Sequence, residues 1–203
     1  FFTKLCHRFL KLFHNTGPAD LIFRVDARLR PYGESGPITM DFDSMEEYYL
    51  RQGREWERYA SIKARRITGN VQDAISLFSK LSSFVYRRYL DYAVYDSLRE
   101  MKSKIMFQVK QNGYENNIKL GAGGIREIEF FGQIFQLIRG GVDHSLKRKK
   151  ILSILDVLAS EDYVPENVTW ELKSAYIFLR LTENHIQEYG DAQTHELPGE
   201  GYA

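Results

Sequence analysis

Apolar and charged side chains alternate from Phe23 to Arg30, and this is the first place where the chain could do chemistry. In a β-strand, successive side chains point to opposite faces. The charged face would then hold Arg24, Asp26, Arg28 and Arg30, and the apolar face Phe23, Val25, Ala27 and Leu29. Asp26 would lie between two arginines, each about 7 Å along the strand. Such a face suits a polyanion and a metal ion, although a solvated edge strand with a neutralised aspartate would have the same pattern.

Two basic or glycine-containing stretches follow that could bind phosphate. The loop Pro31 to Pro37 contains Gly33, Ser35 and Gly36, and glycine lets backbone N–H groups approach a phosphate closely. Short loops of this composition are also ordinary turns. Further along lie Lys63, Arg65 and Arg66. These cations are either surface charge or, if they lie near Arg28 and Arg30, a phosphate clamp.

A second candidate site is the glycine-rich helix start K-L-G-A-G-G-I-R-E-I-E-F, residues 119–130. It lacks the spacing and the βαβ context of a dinucleotide fingerprint. Its carboxylates, Glu127 and Glu129, are either partners of the helix dipole or, with Gly123, Gly124 and Arg126, part of a nucleotide and metal site. Side chains two residues apart on a helix point about 200° apart, so the two glutamates cannot both face the site. Glu129 lies next to the apolar stripe of Ile125 and Ile128. We therefore predict that Glu129 faces inward and that Glu127 lies nearer solvent.

Composition excludes several classes of protein. The 28 basic and 27 acidic side chains nearly cancel, so global charge gives no support to a nucleic-acid partner. The single cysteine, Cys6, excludes an internal disulfide framework and fits a reducing cytosol. No apolar run reaches the length of a membrane span, and no signal peptide is visible. The five histidines have no metal-ligand spacing, so a zinc site is not expected.

The remaining sequence is patterned mainly for helices. Apolar spacing predicts helices over residues 1–13, 45–59 with an interruption at Gly53, 95–109, 125–138, 146–158 and 168–189, with almost purely helical chain from Val71 onward. Asp41 and Asp43 invite a metal interpretation, but glutamates follow Asp43 and Ser44 at capping-box spacing, which favours a helix start there. The charges at 54, 55, 57 and 58 are expected to form a solvated face.

Several of these motifs carry a family resemblance. R-V-D-A-R-L-R-P-Y-G-E-S-G-P at 24–37 and Y-Y-L-R-Q-G-R-E-W-E-R-Y-A-S-I-K-A-R at 48–65 closely resemble the glutamate–ammonia-ligase (glutamine synthetase) adenylyltransferases. The glycine-rich helix start and the late Q-T-H-E-L-P extend the match over nearly the whole chain. These bifunctional enzymes have two nucleotidyltransferase domains. The motif R-V-D-A-R-L-R-P resembles that of the N-terminal, adenylyl-removing half, because the adenylylating half typically has E-V-D-T-R-L-R-P at this place.

The resemblance implies a fold similar to DNA polymerase β, a small α/β catalytic domain followed by a helical bundle. The chain would then be mostly α with a small α/β part. Residues 1–70 would be the tail of the nucleotidyltransferase domain and residues 71–203 the helical bundle. Family members hold Mg²⁺ with two carboxylates of a G-S-x-x-D-x-D motif and a third on a later strand. Asp26 matches the third. The first two are expected upstream of Phe1, so the isolated chain should be inactive or at best part of an active site.

The implied reaction is phosphorolysis of an adenylylated tyrosine on glutamine synthetase, with ADP as product, while the partner half adenylylates the same tyrosine with ATP. Asp26 would be the catalytic and metal-binding residue. Phosphate and nucleotide would be bound by Arg28, Arg30, Ser35, Gly36, Lys63, Arg65, Gly123, Gly124, Arg126, Glu127 and Glu129. Implied partners are glutamine synthetase and a PII-type signal protein in the cytoplasm. The alternative is a non-catalytic helical module that docks one of these proteins, with Asp26 only structural. A parent with only one catalytic half is a further alternative.

Overall fold

The computed structural model describes residues 1–14, 25–88, 93–190 and 194–197. These residues form eight α-helices: α1 (Phe2–His14), α2 (Phe42–Gln52), α3 (Glu55–Ser61), α4 (Val71–Val85), α5 (Ala93–Gln111), α6 (Ile125–Arg139), α7 (Ile151–Ser160) and α8 (Glu166–Gly190). The described part of the chain contains no strand, only an isolated antiparallel bridge between Asn117 and Glu196. The prediction of a mostly helical protein is therefore confirmed.

The predicted strand is wrong where it can be compared. Leu21 to Arg24 lie outside the described residues, and Val25 to Leu29 are irregular. A strand satisfies its backbone groups on a neighbouring strand, and the described residues offer none. A local turn forms instead, because the Asp26 carboxylate accepts the N–H of Arg28 and the Arg28 carbonyl accepts the N–H of Arg30, both at 2.9 Å.

The chain divides into two compact units, Phe1–Val85 and Tyr86–Ala203. In the first unit, α4 packs on α2 and α3, so Val71–Val85 belongs with the residues before it. The predicted boundary at residue 70 refers to a catalytic domain and a bundle, and that assignment stays a prediction. No helix within the described ranges is both long enough and apolar enough to cross a membrane.

A buried arginine holds the first unit together. The Arg58 side chain is fully buried, donates to the carbonyls of Phe84 and Val85 at the end of α4, and pairs with Glu55 at 2.6 Å. Glu57 is also buried, accepting from Tyr48 Oη and from the Arg54 N–H, both at 2.8 Å. The predicted solvated face is therefore wrong for Glu57 and Arg58, because α4 ends over this side of α3 and its last carbonyls need a donor.

A side chain caps the start of α2, as predicted, but the capping residue differs. Asp41, two residues before Asp43, is the N-cap, and its carboxylate accepts the Ser44 N–H at 2.8 Å and the Ser44 hydroxyl at 2.7 Å. These hydrogen bonds lower the pKa of Asp41. The helix begins at Phe42 because its first free N–H groups are satisfied from Asp41.

The second unit has its core where α6, α7 and α8 meet. Ile128, Ile154, Leu155 and Leu158 are buried there. Helix α7 begins at Ile151 rather than at the predicted Leu146, because the preceding residues form a 3-10 turn and a polar connection. The buried Gln136 amide holds that connection by donating to the carbonyls of Leu146 and Arg148 at 2.7 and 2.8 Å.

Candidate functional site

Asp26 and Arg28 form a local, solvent-exposed ion pair in the first unit. The Arg28 Nη2 atom lies 2.6 Å from Asp26 Oδ2, and the Arg28 Nε atom lies 3.0 and 3.1 Å from the two carboxylate oxygens. The side chain of Arg28 is 66% exposed and that of Asp26 is 41% exposed. The hydrogen bond to Asp26 raises the pKa of Arg28. Asp26 is thus a charged carboxylate engaged in a side-on pair with a guanidinium that water can still reach.

Arg30 organises the loop that follows. Its guanidinium donates to the carbonyls of Ala27, Glu34 and Gly36, which are three points on one turn of chain. The side chain is half-buried. In this conformation Arg30 shapes the loop, and a role in binding phosphate stays a prediction.

Ser35 and Gly36 lie in a tight turn rather than in an open phosphate cradle. The Ser35 hydroxyl donates to the Tyr32 carbonyl at 2.9 Å, and the Gly36 N–H donates to the Gly33 carbonyl at 3.2 Å. A Cβ atom at position 36 would lie 2.0 Å from the Pro31 carbonyl oxygen, so only glycine fits there. Tyr32 has a left-handed φ of 62°, a costly conformation for a non-glycine residue. The loop is therefore a strained, closely determined structure.

Two of the predicted phosphate-binding cations border one cleft. A cleft of about 330 Å³ is lined on its polar side by Arg30, Lys63 and Glu57 and on its apolar side by Tyr49 and Trp56. Arg65, two residues beyond Lys63, is exposed and does not line it. Among the residues of the predicted phosphate clamp, Arg30 and Lys63 thus line the same cleft, while Arg28 forms an ion pair with Asp26.

The described residues do not fit a magnesium site on their own. They contain no group of three or more acidic, histidine or cysteine side chains arranged to hold a metal. Both carboxylate oxygens of Asp26 also accept hydrogen bonds from Arg28. Magnesium demands near-octahedral oxygen ligation. A metal at Asp26 would need further ligands from outside the described residues and a rearranged Arg28.

The glycine-rich turn in the second unit is closed by its own hydrogen bonds. Successive N–H groups from Gly123 to Glu127 all have internal acceptors: Glu127 Oε2, the Gly121 carbonyl, the Ile118 carbonyl, the Lys119 carbonyl and the Gly124 carbonyl. Gly124 lies against this backbone, since a Cβ atom there would be 2.7 Å from the Ile118 carbonyl oxygen. A phosphate on these N–H groups would have to displace existing bonds. The predicted roles of Gly123 and Gly124 therefore stay predictions.

Glu127 fastens this turn to helix α5. Its Oε2 atom accepts the Gly123 N–H at 2.8 Å, and its Oε1 atom lies 3.1 Å from Lys102 Nζ. The hydrogen bond from Gly123, followed by the one from Lys102, lowers the pKa of Glu127. Arg126, one residue earlier, is exposed. Glu127 thus works as a side-chain cap, while Arg126 projects from the first turn of α6.

Glu129 belongs to a network that joins α6 to α8. Glu129 Oε1 lies 3.1 Å from Arg180 Nη2 and accepts from Tyr176 Oη at 3.2 Å. Its side chain is 23% exposed, against 37% for Glu127. Their relative burial agrees with the expected orientation, but the described inward partner of Glu129 is a cation of the same unit. A contact with nucleotide stays a prediction.

The network continues to a buried glutamate that sequence reasoning missed. Glu183 is only 6% exposed in its side chain and lies 2.6 Å from Arg180 Nη1, 3.0 Å from His195 Nδ1 and 3.5 Å from Lys119 Nζ. Burial opposes its charge, but Arg180, Lys119 and His195 outweigh that effect and lower the pKa of Glu183. Burial and Lys119 lower the pKa of His195, outweighing the nearby Glu183 carboxylate. Two signals could have found the network, namely the i, i+3 spacing of Arg180 and Glu183 and the presence of Lys119 and His195 in separate family-like motifs.

Comparisons with known proteins agree with this division into two units. The sequence model of the family described as glutamate-ammonia ligase adenylyltransferase matches residues 1–80, and that described as GlnD PII-uridylyltransferase matches residues 99–203. The gap between the two matched regions contains the boundary between the compact units at Val85 and Tyr86.

Three curated relatives carry the same name, bifunctional glutamine synthetase adenylyltransferase/adenylyl-removing enzyme. They come from Nitrosococcus oceani, Hahella chejuensis and Pseudomonas syringae pv. tomato, and each is 48% identical to this chain over 198 residues, or 98% of it. The chain spans about a fifth of the length of these relatives, 20 to 21%. On the match of the first unit and on this identity, the chain belongs to the glutamate-ammonia ligase adenylyltransferase family.

Proposed function

We propose that the parent protein of this chain removes AMP from an adenylylated tyrosine of glutamine synthetase by phosphorolysis. A phosphate oxygen attacks the AMP phosphorus, the bond from phosphorus to the tyrosine oxygen breaks, and ADP leaves while the tyrosine oxygen takes up a proton. The partner half of the parent would adenylylate the same tyrosine with ATP. The names of the relatives support both activities. The motif R-V-D-A-R-L-R-P supports the adenylyl-removing half for this chain.

The exposed pair of Asp26 and Arg28 carries the assignment. Phosphoryl transfer depends on positioning and on neutralising the charge of the phosphate oxygens more than on covalent help from the protein. Arg28 can leave Asp26 at little cost because the pair is exposed, and its guanidinium could then bind a phosphate bidentately. Lys63 and Arg65 are exposed cations of the same unit, and Arg30 holds the loop in shape.

We further propose that Asp26 contributes one ligand to Mg²⁺ in the parent. The remaining ligands would come from carboxylates outside the described residues. The metal would neutralise phosphate charge when bound. The protein groups named above would bind and orient the two phosphates.

The test is Asp26→Asn in the full-length parent, with Asp43→Asn as the matched control. Asp43 is an exposed aspartate of the same unit with no proposed role, 94% exposed in its side chain. We expect Asp26→Asn to lower the rate of deadenylylation by at least about 10²-fold, as for the loss of a strong electrostatic contribution. Adenylylation by the other half and deadenylylation by Asp43→Asn should stay normal. Normal deadenylylation by Asp26→Asn would reduce Asp26 to a partner of Arg28.

The second candidate function is a docking module, and an exposed apolar stripe on α8 favours it. Trp170, Ile177, Phe178 and Leu181 lie on one side of the helix and are 46 to 68% exposed. Large apolar patches of this kind often mark protein interfaces. The proposed partners are glutamine synthetase and a PII-type signal protein. Binding of glutamine synthetase to a parent that lacks deadenylylation activity, with loss of binding in Phe178→Ser, would support this alternative.

A further inference from the structure

A cleft in the second unit lies between α5, the glycine-rich turn and the first turns of α6. Its volume is about 550 Å³. Pockets for small ligands usually measure about 300–1,000 Å³. The cleft therefore has room for a ligand of nucleotide size, and its described lining residues all belong to the second unit.

The floor of this cleft is apolar and partly aromatic. It is lined by Ile105, Met106, Phe107, Leu120 and Phe130. Phe130 is buried, whereas Met106 and Phe107 are 55% and 62% exposed on α5. Large apolar side chains left open to water at a concave site suit a planar apolar group, because a base can stack on an aromatic ring and cover it from water.

The rim of the cleft is cationic. Lys102, Lys110 and Arg126 line it, against the single carboxylate of Glu127. Glu127 neutralises Lys102 at 3.1 Å and also holds the Gly123 N–H. Lys110 and Arg126 thus add positive charge to a mainly apolar cleft. A ligand complementary to this surface is planar and apolar at one end and anionic at the other.

We propose that this cleft binds an adenine nucleotide, with the base against Phe107 and Phe130 and the phosphates between Lys110 and Arg126. The choice of adenine rests on the proposed function, in which ADP and ATP take part. Recognition of the phosphates by side chains follows from the closed turn, whose N–H groups from Gly123 to Glu127 already have acceptors. Every described lining residue of this cleft lies in the second unit.

The experiment is calorimetric titration of the whole chain with ADP, and with pyrophosphate as a probe of the anionic end alone. Lys110→Gln should weaken ADP binding about tenfold, the usual effect of losing one hydrogen bond to a charged group. Its matched control is Lys104→Gln. Lys104 is an exposed cation of the same helix that pairs with Glu100 and does not line the cleft. The control should leave ADP binding unchanged.

A second variant tests the apolar floor. Phe107→Ala truncates a side chain that is 62% exposed, so the fold should survive. It should weaken ADP binding about tenfold through lost stacking and leave pyrophosphate binding unchanged. Equal weakening of both probes would overturn the placement of the base.

Two further outcomes separate this inference from the proposed function. Absence of ADP binding up to about 1 mM, near the upper end of common KM values, would overturn the cleft as a nucleotide site and leave the Asp26 assignment standing. Loss of ADP binding in Asp26→Asn, with normal ADP binding in Lys110→Gln, would also overturn the cleft as a nucleotide site and leave the Asp26 assignment standing. Binding that follows Lys110 and Phe107 but ignores Asp26, in a parent whose deadenylylation also ignores Asp26, would support the cleft and defeat the proposed function.

Discussion

The two units hold their charged residues in opposite ways. In the first, Asp26 pairs with Arg28 two residues away, and both side chains are largely exposed. In the second, Glu183 is buried and gathers Arg180 from its own helix, Lys119 from the glycine-rich turn and His195 from near the end of the chain. The first pair is local and exposed to solvent, whereas the second network gathers partly exposed cations from distant segments around a buried carboxylate.

The difference separates charges that can serve a ligand from charges that hold the fold. An exposed ion pair contributes little to stability, because water and salt screen it. Such a pair can exchange its partner for a phosphate at little cost. Breaking a buried pair leaves an uncompensated charge, which costs several kcal/mol. We therefore expect the network around Glu183 to control stability and the pair of Asp26 and Arg28 to control chemistry.

The largest effect should come from Arg180→Met. This change removes the guanidinium that lies between Glu129 and Glu183. Loss of a buried partner typically costs about 3–5 kcal/mol, and since Arg180 is 35% exposed we expect about 2–3 kcal/mol in the free energy of unfolding. Urea denaturation of the chain measures it.

Lys173→Met provides the matched control for Arg180→Met. Lys173 is a cation of the same helix with the same exposed fraction, 35%, but its partner Asp156 is 58% exposed. We expect this change to cost less than about 1 kcal/mol. Equal losses of unfolding free energy in Lys173→Met and Arg180→Met would contradict the distinction between ion pairs with an exposed carboxylate and ion pairs with a buried one.

A smaller effect should separate the two glutamates at the start of α6. Glu129→Gln removes the carboxylate charge from the bonds with Arg180 and Tyr176 and leaves only the Arg180 side charged, which should cost about 1 kcal/mol in stability. Glu127→Gln keeps an acceptor for the Gly123 N–H and loses only the exposed pair with Lys102, so it should cost less than about 0.5 kcal/mol. Melting temperatures of the two single variants give the comparison.

The same variants in the parent test the predicted nucleotide contact. Turnover that falls in Glu129→Gln more than its melting temperature explains would support a functional role. Equal, small losses of both stability and activity in the two variants would contradict the assignment of Glu129 as the inward residue.

Sequence patterns predicted most of the helices. They failed where contacts with distant segments determine the structure. The period-two pattern predicts a strand centred on Phe23 to Leu29, but such a pattern does not supply a neighbouring strand to pair with. Arg58 and Glu57 looked like a solvated face because the pattern within one helix does not say where α4 ends. The Glu183 network joins residues up to 76 positions apart, from Lys119 to His195, and local spacing predicts only its pair of Arg180 and Glu183.

Acidification should weaken the network through His195. The pKa of His195 is lowered from 6.5 in the folded chain, so the unfolded chain takes up this proton first as the pH falls. Stability is therefore full above pH 6.5 and declines below it. The lowered pKa of Glu183 acts only below its unfolded value of 4.5. Melting temperatures from about pH 7.5 to pH 5 should show the first decline.

His195→Gln should remove this decline between pH 7 and pH 5, whatever it does to stability at neutral pH. His185→Gln is the control, because His185 is 79% exposed on α8. A pH slope that is the same in both variants would show that other groups cause it.

The smallest stability effect should come from Arg28→Gln, and this variant tests the comparison from the opposite side. Arg28 is 66% exposed and its only described carboxylate partner, Asp26, is 41% exposed, so the melting temperature should not change. In the parent, deadenylylation should nevertheless fall about tenfold, because a charged hydrogen bond to phosphate is lost. Arg28→Lys should recover part of the rate, since it restores the charge without the bidentate geometry. A variant that loses stability but keeps its rate would place Arg28 with the residues that hold the fold, and the division of labour between the two units would fail at its most exposed charge.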